Sequence, residues 1–125
     1  MVWIYYDSKT GNVERFINKL KGQRDWTIQK IDETLLITNP GHLITYTTGI
    51  GDIPASTLRF LELNNALIET VTSSGNKNWG ANFAIAATKI SAAFKLPVLL
   101  QFELSGTSKD LQRFIDNIEG NIYGN

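Results

Sequence analysis

The residues best suited to hold an anion lie in one short segment near the start of the chain. Ser8–Asn12 follows the apolar run Val2–Tyr6 and precedes a helical pattern that begins at Val13. The segment carries two hydroxyls, a lysine, a glycine and an amide. Free backbone N–H groups and the helix dipole favour an anion at a helix N-terminus, so the segment predicts a site for a phosphate monoester. Plain capping of the helix is the alternative, because serine, threonine and asparagine are common caps.

Two later segments are suited to hold a flat ligand. Thr47–Gly51 contains two glycines, and a backbone without a Cβ can approach a ring closely. Ser74–Gly80 places Trp79 between amides and glycines, and an indole offers a flat face for stacking on a conjugated ring. An ordinary strand-to-helix turn and a tryptophan folded onto the core are the alternatives for these two segments.

Spacing excludes one familiar nucleotide-binding motif and weakens the case for a second. Lys9 and Thr10 do not follow a Gly-x-x-x-x-Gly run, so the first segment is not a P-loop. Gly49 and Gly51 resemble the start of a dinucleotide fingerprint, but Pro54 occupies the position of its third glycine.

The other candidate residues predict little chemistry of their own. Glu103–Thr107 is typical of a strand end followed by a helix cap, and Glu103 as a general base has no evident partner. His42 stands before an apolar strand, where a structural or solvated role is expected. No catalytic side chain is predicted.

The amino-acid composition excludes several classes of function. The chain has 125 residues, 12 basic and 12 acidic side chains, one histidine and no cysteine. Disulfides, thiol catalysis and iron–sulfur clusters are thereby excluded, and no metal site is predicted. A nucleic-acid-binding protein would usually show an excess of basic side chains, and this sequence has none. Any redox chemistry must reside in a bound organic cofactor.

Apolar patterns arrange the candidate segments in an alternating series of strands and helices. The predicted strands are Val2–Tyr6, Trp26–Ile31, Leu43–Thr47, Leu67–Thr72 and Pro97–Leu104. The predicted inner faces of the four helices are Val13, Phe16, Ile17 and Leu20; Ile53, Thr57, Phe60 and Leu61; Phe83, Ala87, Ile90 and Phe94; and Leu111, Phe114, Ile115 and Ile118.

This alternation predicts the α/β class and a single domain over residues 1–125, with a frayed tail at Gly120–Asn125. Right-handed crossovers and five strands favour a flavodoxin-like three-layer sandwich with a five-stranded parallel sheet in the order 2-1-3-4-5. Ligands of such sheets bind at the carboxyl ends of the strands, where the candidate segments converge. A phosphate segment, a glycine-rich surface and an aromatic platform together predict a flavin mononucleotide (FMN) site.

The same residues resemble a known family, the NrdI family of flavodoxin-like flavoproteins that accompany class Ib ribonucleotide reductases. Four segments carry the resemblance, in order along nearly the whole chain: Asp7–Val13, Thr45–Gly49, Ser74–Gly80 and Phe102–Thr107. Ser73 departs from the family pattern, in which alanine is usual at this position, and the glycine loop is less glycine-rich than in some relatives.

The resemblance implies which residues bind FMN. Ser8–Val13 would hold the phosphate, and two later loops would flank the ring, with Trp79 stacking on it. The predicted cofactor-binding residues are Ser8, Lys9, Thr10, Gly11, Asn12, Val13, Thr47, Thr48, Gly49, Ile50, Gly51, Ser74, Gly75, Asn76, Asn78, Trp79 and Gly80.

The resemblance also implies a function. The reduced flavin would react with dioxygen and supply an oxidant to the radical-bearing small subunit of a class Ib ribonucleotide reductase, where a dimanganese–tyrosyl radical cofactor is assembled. A flavin-reducing electron donor would be a second partner. Such a protein is a redox accessory flavoprotein rather than a stand-alone enzyme.

Two other functions remain open from the sequence. One is an electron-transfer flavodoxin that serves a reductase, although a shuttle that docks on basic partners is expected to be acidic and this chain has no net charge. The other is a cofactor-free interaction domain, because a fold does not fix a function. We expect a cytoplasmic protein that binds neither membranes nor nucleic acid, since no signal peptide or membrane span is evident.

Overall fold

A parallel five-stranded sheet forms the centre of the molecule in a computed structural model that describes residues 1–121. The strands and helices alternate along the chain as the sequence predicts. They are β1 Trp3–Tyr6, α1 Asn12–Lys21, β2 Thr27–Lys30, β3 Gly41–Tyr46, α2 Ala55–Asn64, β4 Ile68–Gly75, α3 Ala86–Phe94, β5 Val98–Glu103 and α4 Ser108–Glu119, with short 3-10 helices at Asn65–Leu67 and Lys77–Asn82.

The strand order is β2-β1-β3-β4-β5, and every neighbouring pair is parallel. This confirms the predicted flavodoxin-like order. Because all strands point the same way, the loops that follow β1, β3, β4 and β5 meet at one edge of the sheet. These loops contain the four candidate segments.

Helices α1 and α4 cover one face of the sheet. Val13, Phe16, Ile17 and Leu20 are buried at helical spacing on α1, as predicted. The Phe16 ring stacks on Phe102 of β5 with a centroid distance of 4.3 Å and meets Phe114 of α4 edge-on at 5.5 Å. These contacts fix the start of α1 relative to the end of β5.

Helices α2 and α3 cover the opposite face. Their buried residues include Phe60 and Leu61 from α2 and Ile90 from α3, which pack with Tyr5 and Leu43 of the sheet. Each face of the sheet therefore has its own apolar core, which accounts for the near-continuous apolar runs in β1 and β3.

Two strands are longer than predicted. Strand β3 begins at Gly41, so His42 lies inside it rather than before it, and strand β4 continues to Gly75. The extra residues of β4 include Ser73 and Ser74, which are both buried. Their polarity suggests a loop, but the Ser73 hydroxyl donates to the carbonyl of Ala84 and accepts from the N–H of Ala87, so its burial is compensated.

The prediction that Phe83 lies on a helical face is wrong. Helix α3 begins at Ala86, because Ala84 has a left-handed backbone with φ 49° and Phe83 is extended with ψ 122°. A left-handed alanine cannot continue a helix. The tail that the sequence predicts to be frayed lies outside the described residues from position 122 onward.

Candidate functional site

A cavity of about 310 Å³ opens at the edge of the sheet where the four candidate loops meet. Its lining comes from the ends of β1, β3, β4 and β5. The lining residues are Lys9, Thr10, Asn12, Tyr46, Thr47, Thr48, Gly49, Ser74, Gly75, Asn76, Trp79 and Leu104. The structure therefore brings together residues that are up to 95 positions apart in the sequence.

Some predicted cofactor-binding residues do not line this cavity. They are Ser8, Gly11, Val13, Ile50, Gly51, Asn78 and Gly80. The Val13 side chain is buried in the core, and Gly51 packs against Asn82 and Ile85. Ile50 is 81% exposed at the tip of its loop.

The first loop leaves backbone donors at the start of α1. Gly11 precedes the helix with φ 95°, a conformation that favours glycine, and no side chain caps the helix at this position. The N–H groups of Asn12 and Val13 have no acceptor among the described residues. The next N–H, that of Glu14, donates to the Ser8 hydroxyl at 3.2 Å, so Ser8 acts as the cap that the sequence left as an alternative.

These donors fit a phosphate. The cavity lining includes Lys9 and no carboxylate among the described residues. Asn12 and Thr10 line the cavity, so the free N–H of Asn12 at the helix N-terminus and the Thr10 hydroxyl are donors of the kind that bind an anion, and the free N–H of Val13 follows one residue further along the helix.

The second loop is a closed turn. Thr48 and Asp52 exchange backbone hydrogen bonds at 2.9 and 2.7 Å, and the two glycines between them have φ of 55° and 85°. Gly49 reaches the cavity and carries no Cβ, which allows a flat ligand to approach its backbone.

The third loop presents Trp79 to the cavity rather than to the core. The Asn76 side chain accepts from the N–H of Asn78 at 2.9 Å, and the Asn76 carbonyl accepts from the N–H of Trp79 at 3.0 Å. Trp79 is 38% exposed and belongs to neither apolar core. This contradicts the alternative of a tryptophan folded onto the core.

The third loop is anchored to the sheet through Ala84. The Ala84 carbonyl accepts one hydrogen bond from the Ser73 hydroxyl and a second from Gln101 Nε2, at 2.8 Å. Gly75 lies so close that a Cβ on it would meet the Ala84 nitrogen at 2.3 Å. The anchor fixes the direction in which the loop leaves β4.

Two residues of the cavity wall are absent from the residues predicted to bind a cofactor. Tyr46 is the last residue of β3, and an aromatic residue at the carboxyl end of a strand is the signal that could have found it. Burial, with a further contribution from the nearby Asp7 carboxylate, raises the pKa of Tyr46. Leu104 is 46% exposed and has a left-handed backbone with φ 51°, which the sequence does not indicate.

Asp7 ties the first loop to the second helix. It follows β1, is buried, and accepts hydrogen bonds from Ser56 at 2.5 Å and Thr57 at 2.7 Å at the start of α2. These bonds satisfy a buried carboxylate and hold the start of α2 beside the cavity.

The other two polar candidates have structural partners. Glu103 accepts from the backbone N–H of Lys77 at 3.3 Å, which connects β5 to the third loop. His42 is buried, its Nδ1 lies 2.8 Å from the Thr70 hydroxyl, and burial lowers its pKa to about 4.

Within residues 1–121, no cluster of side chains could hold a metal ion. No described helix has the length and apolarity to cross a membrane.

Comparison with solved structures defines the class of protein. The chain matches a short-chain flavodoxin associated with a non-canonical PDU bacterial microcompartment with a TM-score of 0.72 and 20% identity, over 97% of this chain and 95% of that one. It matches a Streptococcus pneumonia TIGR4 flavodoxin with a TM-score of 0.69 and 21% identity, over 94% of each chain. The fold is that of the flavodoxins.

Sequence comparison identifies the family. The model of the NrdI flavodoxin-like family matches residues 4–116. Protein NrdI of Bacillus licheniformis is 45% identical over 95% of this chain and 88% of its own length, and the SPbeta prophage-derived protein NrdI of Bacillus subtilis is 45% identical over 91% and 88%. Protein NrdI of Macrococcus caseolyticus is 40% identical over 95% and 89%. The chain belongs to the NrdI flavodoxin-like family.

This family binds FMN, the cofactor predicted from the sequence. The cavity fits that group, because it combines free donors for a phosphate, a glycine backbone and two aromatic side chains in one wall.

Proposed function

We propose that this chain is a single FMN-binding domain that activates a class Ib ribonucleotide reductase. The names of its relatives imply association with a ribonucleotide reductase. When bound and reduced, FMN would supply electrons to dioxygen, and the reduced oxygen species would be the oxidant for assembling the dimanganese–tyrosyl radical cofactor in the small subunit. The protein would work in the cytoplasm beside its partner and would require an electron donor that reduces the flavin.

The residues of the first loop would hold the phosphate of FMN. We assign this role to the free N–H groups of Asn12 and Val13, to the Thr10 hydroxyl and to Lys9. Ser8 would stabilise the loop rather than bind the phosphate, since its hydroxyl already accepts a hydrogen bond from the N–H of Glu14.

The second and third loops would hold the ring. Trp79 and Tyr46 supply flat apolar surfaces, and Gly49 supplies a backbone that can approach the ring edge. Thr47, Thr48, Ser74, Gly75 and Asn76 complete the wall.

The observation that carries the proposed activation of a partner is the apolar rim of the cavity. Trp79 and Leu104 line the cavity and are 38% and 46% exposed, and Ile50, which follows the lining residue Gly49, is 81% exposed; the three come from different loops. Exposed apolar residues grouped around a cavity are typical of a surface that another protein covers. A partner docked there would receive the oxidant next to its source, with little loss to solvent.

The test measures radical formation in the partner. The FMN-loaded protein is reduced without oxygen, mixed with a manganese-loaded small subunit of a class Ib reductase, and exposed to dioxygen. The tyrosyl radical is then counted by electron paramagnetic resonance. We expect radical in the complete mixture and little when free reduced FMN replaces the protein.

Two results would contradict the proposal. Equal radical yield with free reduced FMN would show that the protein contributes nothing. No radical with the protein, together with efficient electron delivery to a reductase, would favour the electron-transfer flavodoxin.

A further inference from the structure

Arg15 joins two loops of the cavity from outside it. Its Nε donates to the Ser105 hydroxyl at 2.9 Å, and its Nη2 donates to Asn12 Oδ1 at 2.6 Å. The Ser105 hydroxyl also donates to Asn12 Oδ1, at 3.1 Å. The remaining guanidinium nitrogen, Nη1, lies 3.1 Å from the point where a Cβ on Gly11 would stand. We call Arg15, Ser105 and Asn12 the arginine bracket.

The arginine bracket determines which end of the Asn12 amide faces it. A guanidinium can only donate hydrogen bonds, so the amide oxygen must point toward Arg15. The Ser105 hydroxyl occupies the same oxygen. The amide nitrogen of Asn12 is left with two donors that have no acceptor among residues 1–121. Asn12 lines the cavity, and its own backbone N–H is also free.

The loop that carries Ser105 is also attached to α1 by contacts that do not involve Arg15. Lys19, one turn further along α1, donates to the carbonyl of Gly106 at 2.9 Å. Gly106 itself lies against Phe16, where a Cβ would meet the ring at 2.8 Å. The loop that carries Ser105 is thus fixed to α1 at three points, and Asn12 is held against a rigid support.

We propose that Arg15 is a positioning residue for FMN that acts through Asn12. By holding the amide oxygen, it presents the amide N–H2 group to the phosphate, next to the free N–H groups of the first helical turn. The proposal rests on the proposed phosphate site and adds a residue that neither lines the cavity nor belongs to the predicted binding set.

The test is a double-mutant cycle read as the ratio of riboflavin to FMN dissociation constants. Riboflavin lacks the phosphate, so the ratio isolates the phosphate site from the ring site. Asn12→Ala should lower the ratio about tenfold, as expected for loss of a hydrogen bond to a charged group. Arg15→Gln should lower it about fivefold, because the amide is no longer held. The double variant should match Asn12→Ala, since the two residues act in series.

Arg24→Gln is the matched control. It removes the same charge and a bidentate partner of Glu119, at the other end of α1. We expect its ratio to equal that of the wild type within about twofold, because surface ion pairs far from a site contribute little.

The outcomes separate the proposals. A wild type that binds riboflavin and FMN equally overturns both the phosphate site and the role of Arg15. A wild-type preference for FMN that Arg15→Gln leaves unchanged overturns the role of Arg15 alone. Additive losses in the double variant would show that the charge of Arg15 acts on the phosphate directly, which overturns positioning.

If Arg15→Gln binds neither flavin, Arg15→Lys takes its place. This variant keeps the positive charge and removes the guanidinium that donates to both Ser105 and Asn12 Oδ1. A lowered ratio supports the proposal, and an unchanged ratio overturns it, because the charge alone would then be sufficient.

Discussion

Trp79 is positioned by its backbone rather than by burial of its ring. The two Asn76 contacts fix the backbone at Asn78 and at Trp79 itself, while Trp79 remains partly exposed at the cavity. A ring held in this way loses little freedom on binding a flat ligand, because its backbone is already ordered. The residue is therefore suited to stacking.

Replacement of Trp79 by alanine should weaken FMN binding about two- to tenfold, since stacked aromatic pairs contribute about 0.5–1.5 kcal/mol beyond their buried area. Flavin fluorescence, quenched in the wild type by the stacked indole, should rise. A fluorescence titration measures both. Trp26→Phe, at the opposite end of the sheet, is the control. Unchanged affinity and fluorescence in Trp79→Ala would assign the residue to a partner surface instead.

His42 makes the folded protein sensitive to acid. Burial lowers its pKa from 6.5 to about 4, so between these values the unfolded chain binds a proton that the folded chain does not. Above the unfolded pKa the folded and unfolded chains bind the same number of protons, so His42 costs no stability there. As the pH falls toward 4, protonation of His42 in the unfolded chain lowers the free energy of unfolding. Between about pH 7.5 and about pH 5 the loss is about 2 kcal/mol.

Urea unfolding at the two pH values tests this prediction. His42→Gln is expected to be less stable than the wild type near neutral pH, because Thr70 loses its ring partner. Its stability should, however, depend less on pH by about 2 kcal/mol. The same pH dependence in both proteins would assign the acid sensitivity to carboxylates.

The helix ends show how local conformation departs from residue preference. Lys95 ends α3 with a left-handed backbone, φ 59° and ψ 44°, and its N–H donates to the Ser91 carbonyl. Glycine is the usual residue in this position, because a side chain in the left-handed region costs about 1–2 kcal/mol.

Lys95→Gly should therefore raise the free energy of unfolding by about 0.5–1 kcal/mol, after allowing for the greater entropy of glycine in the unfolded chain. Thermal or urea unfolding measures it. Lys21→Gly, in the last turn of α1 with ordinary helical backbone, should lower stability by about 1 kcal/mol. Destabilisation by Lys95→Gly would mean that the lysine side chain makes a stabilising contact.

The elements that the sequence predicts well are those with one clear apolar face. The i, i+3, i+4, i+7 pattern locates α1 and α4, because only the helical period places all four residues inside. The end of β4 and the start of α3 are not predictable in this way. Ser73 resembles a loop residue until its partner Ala84 is known, and the left-handed conformation of Ala84 has no sequence signal.

The candidate site, like the helices and strands, can be predicted from the sequence only in part. Loops at the carboxyl ends of strands can be predicted to converge once the strand order is known. The arginine bracket cannot be predicted, because Arg15 and Ser105 are 90 positions apart and meet only through packing of α1 on β5. Leu104 is missed because nothing in its residue type indicates a wall position.

In the whole molecule, the residues that stabilise the fold and the residues that form the cavity lie in different places. Both apolar cores lie on the faces of the sheet, whereas the cavity lies at one edge, where the loops supply most of the wall. Bound FMN should add to stability by mass action, about 2.7 kcal/mol at a free concentration 100 times the dissociation constant.

The purified protein should be yellow and release one FMN and no FAD, because the cavity meets one set of free helix donors, suited to one phosphate. Chromatography of the released flavin against standards decides its identity. The unfolding temperature of the flavin-free protein should rise more with FMN than with riboflavin at equal concentration. Recovery of FAD, or of a colourless protein that ignores added FMN, would contradict the prediction.

The turn between Thr48 and Asp52 is closed on itself by its two reciprocal backbone bonds. Ile50 at the tip is almost fully solvated and belongs to neither apolar core. Exchange of its side chain is therefore tolerated by the scaffold, whereas the glycines on either side are constrained by their positive φ and by the contact of Gly51 with Asn82 and Ile85. Position 50 can thus differ between relatives and alter the surface beside the cofactor without a change in the fold.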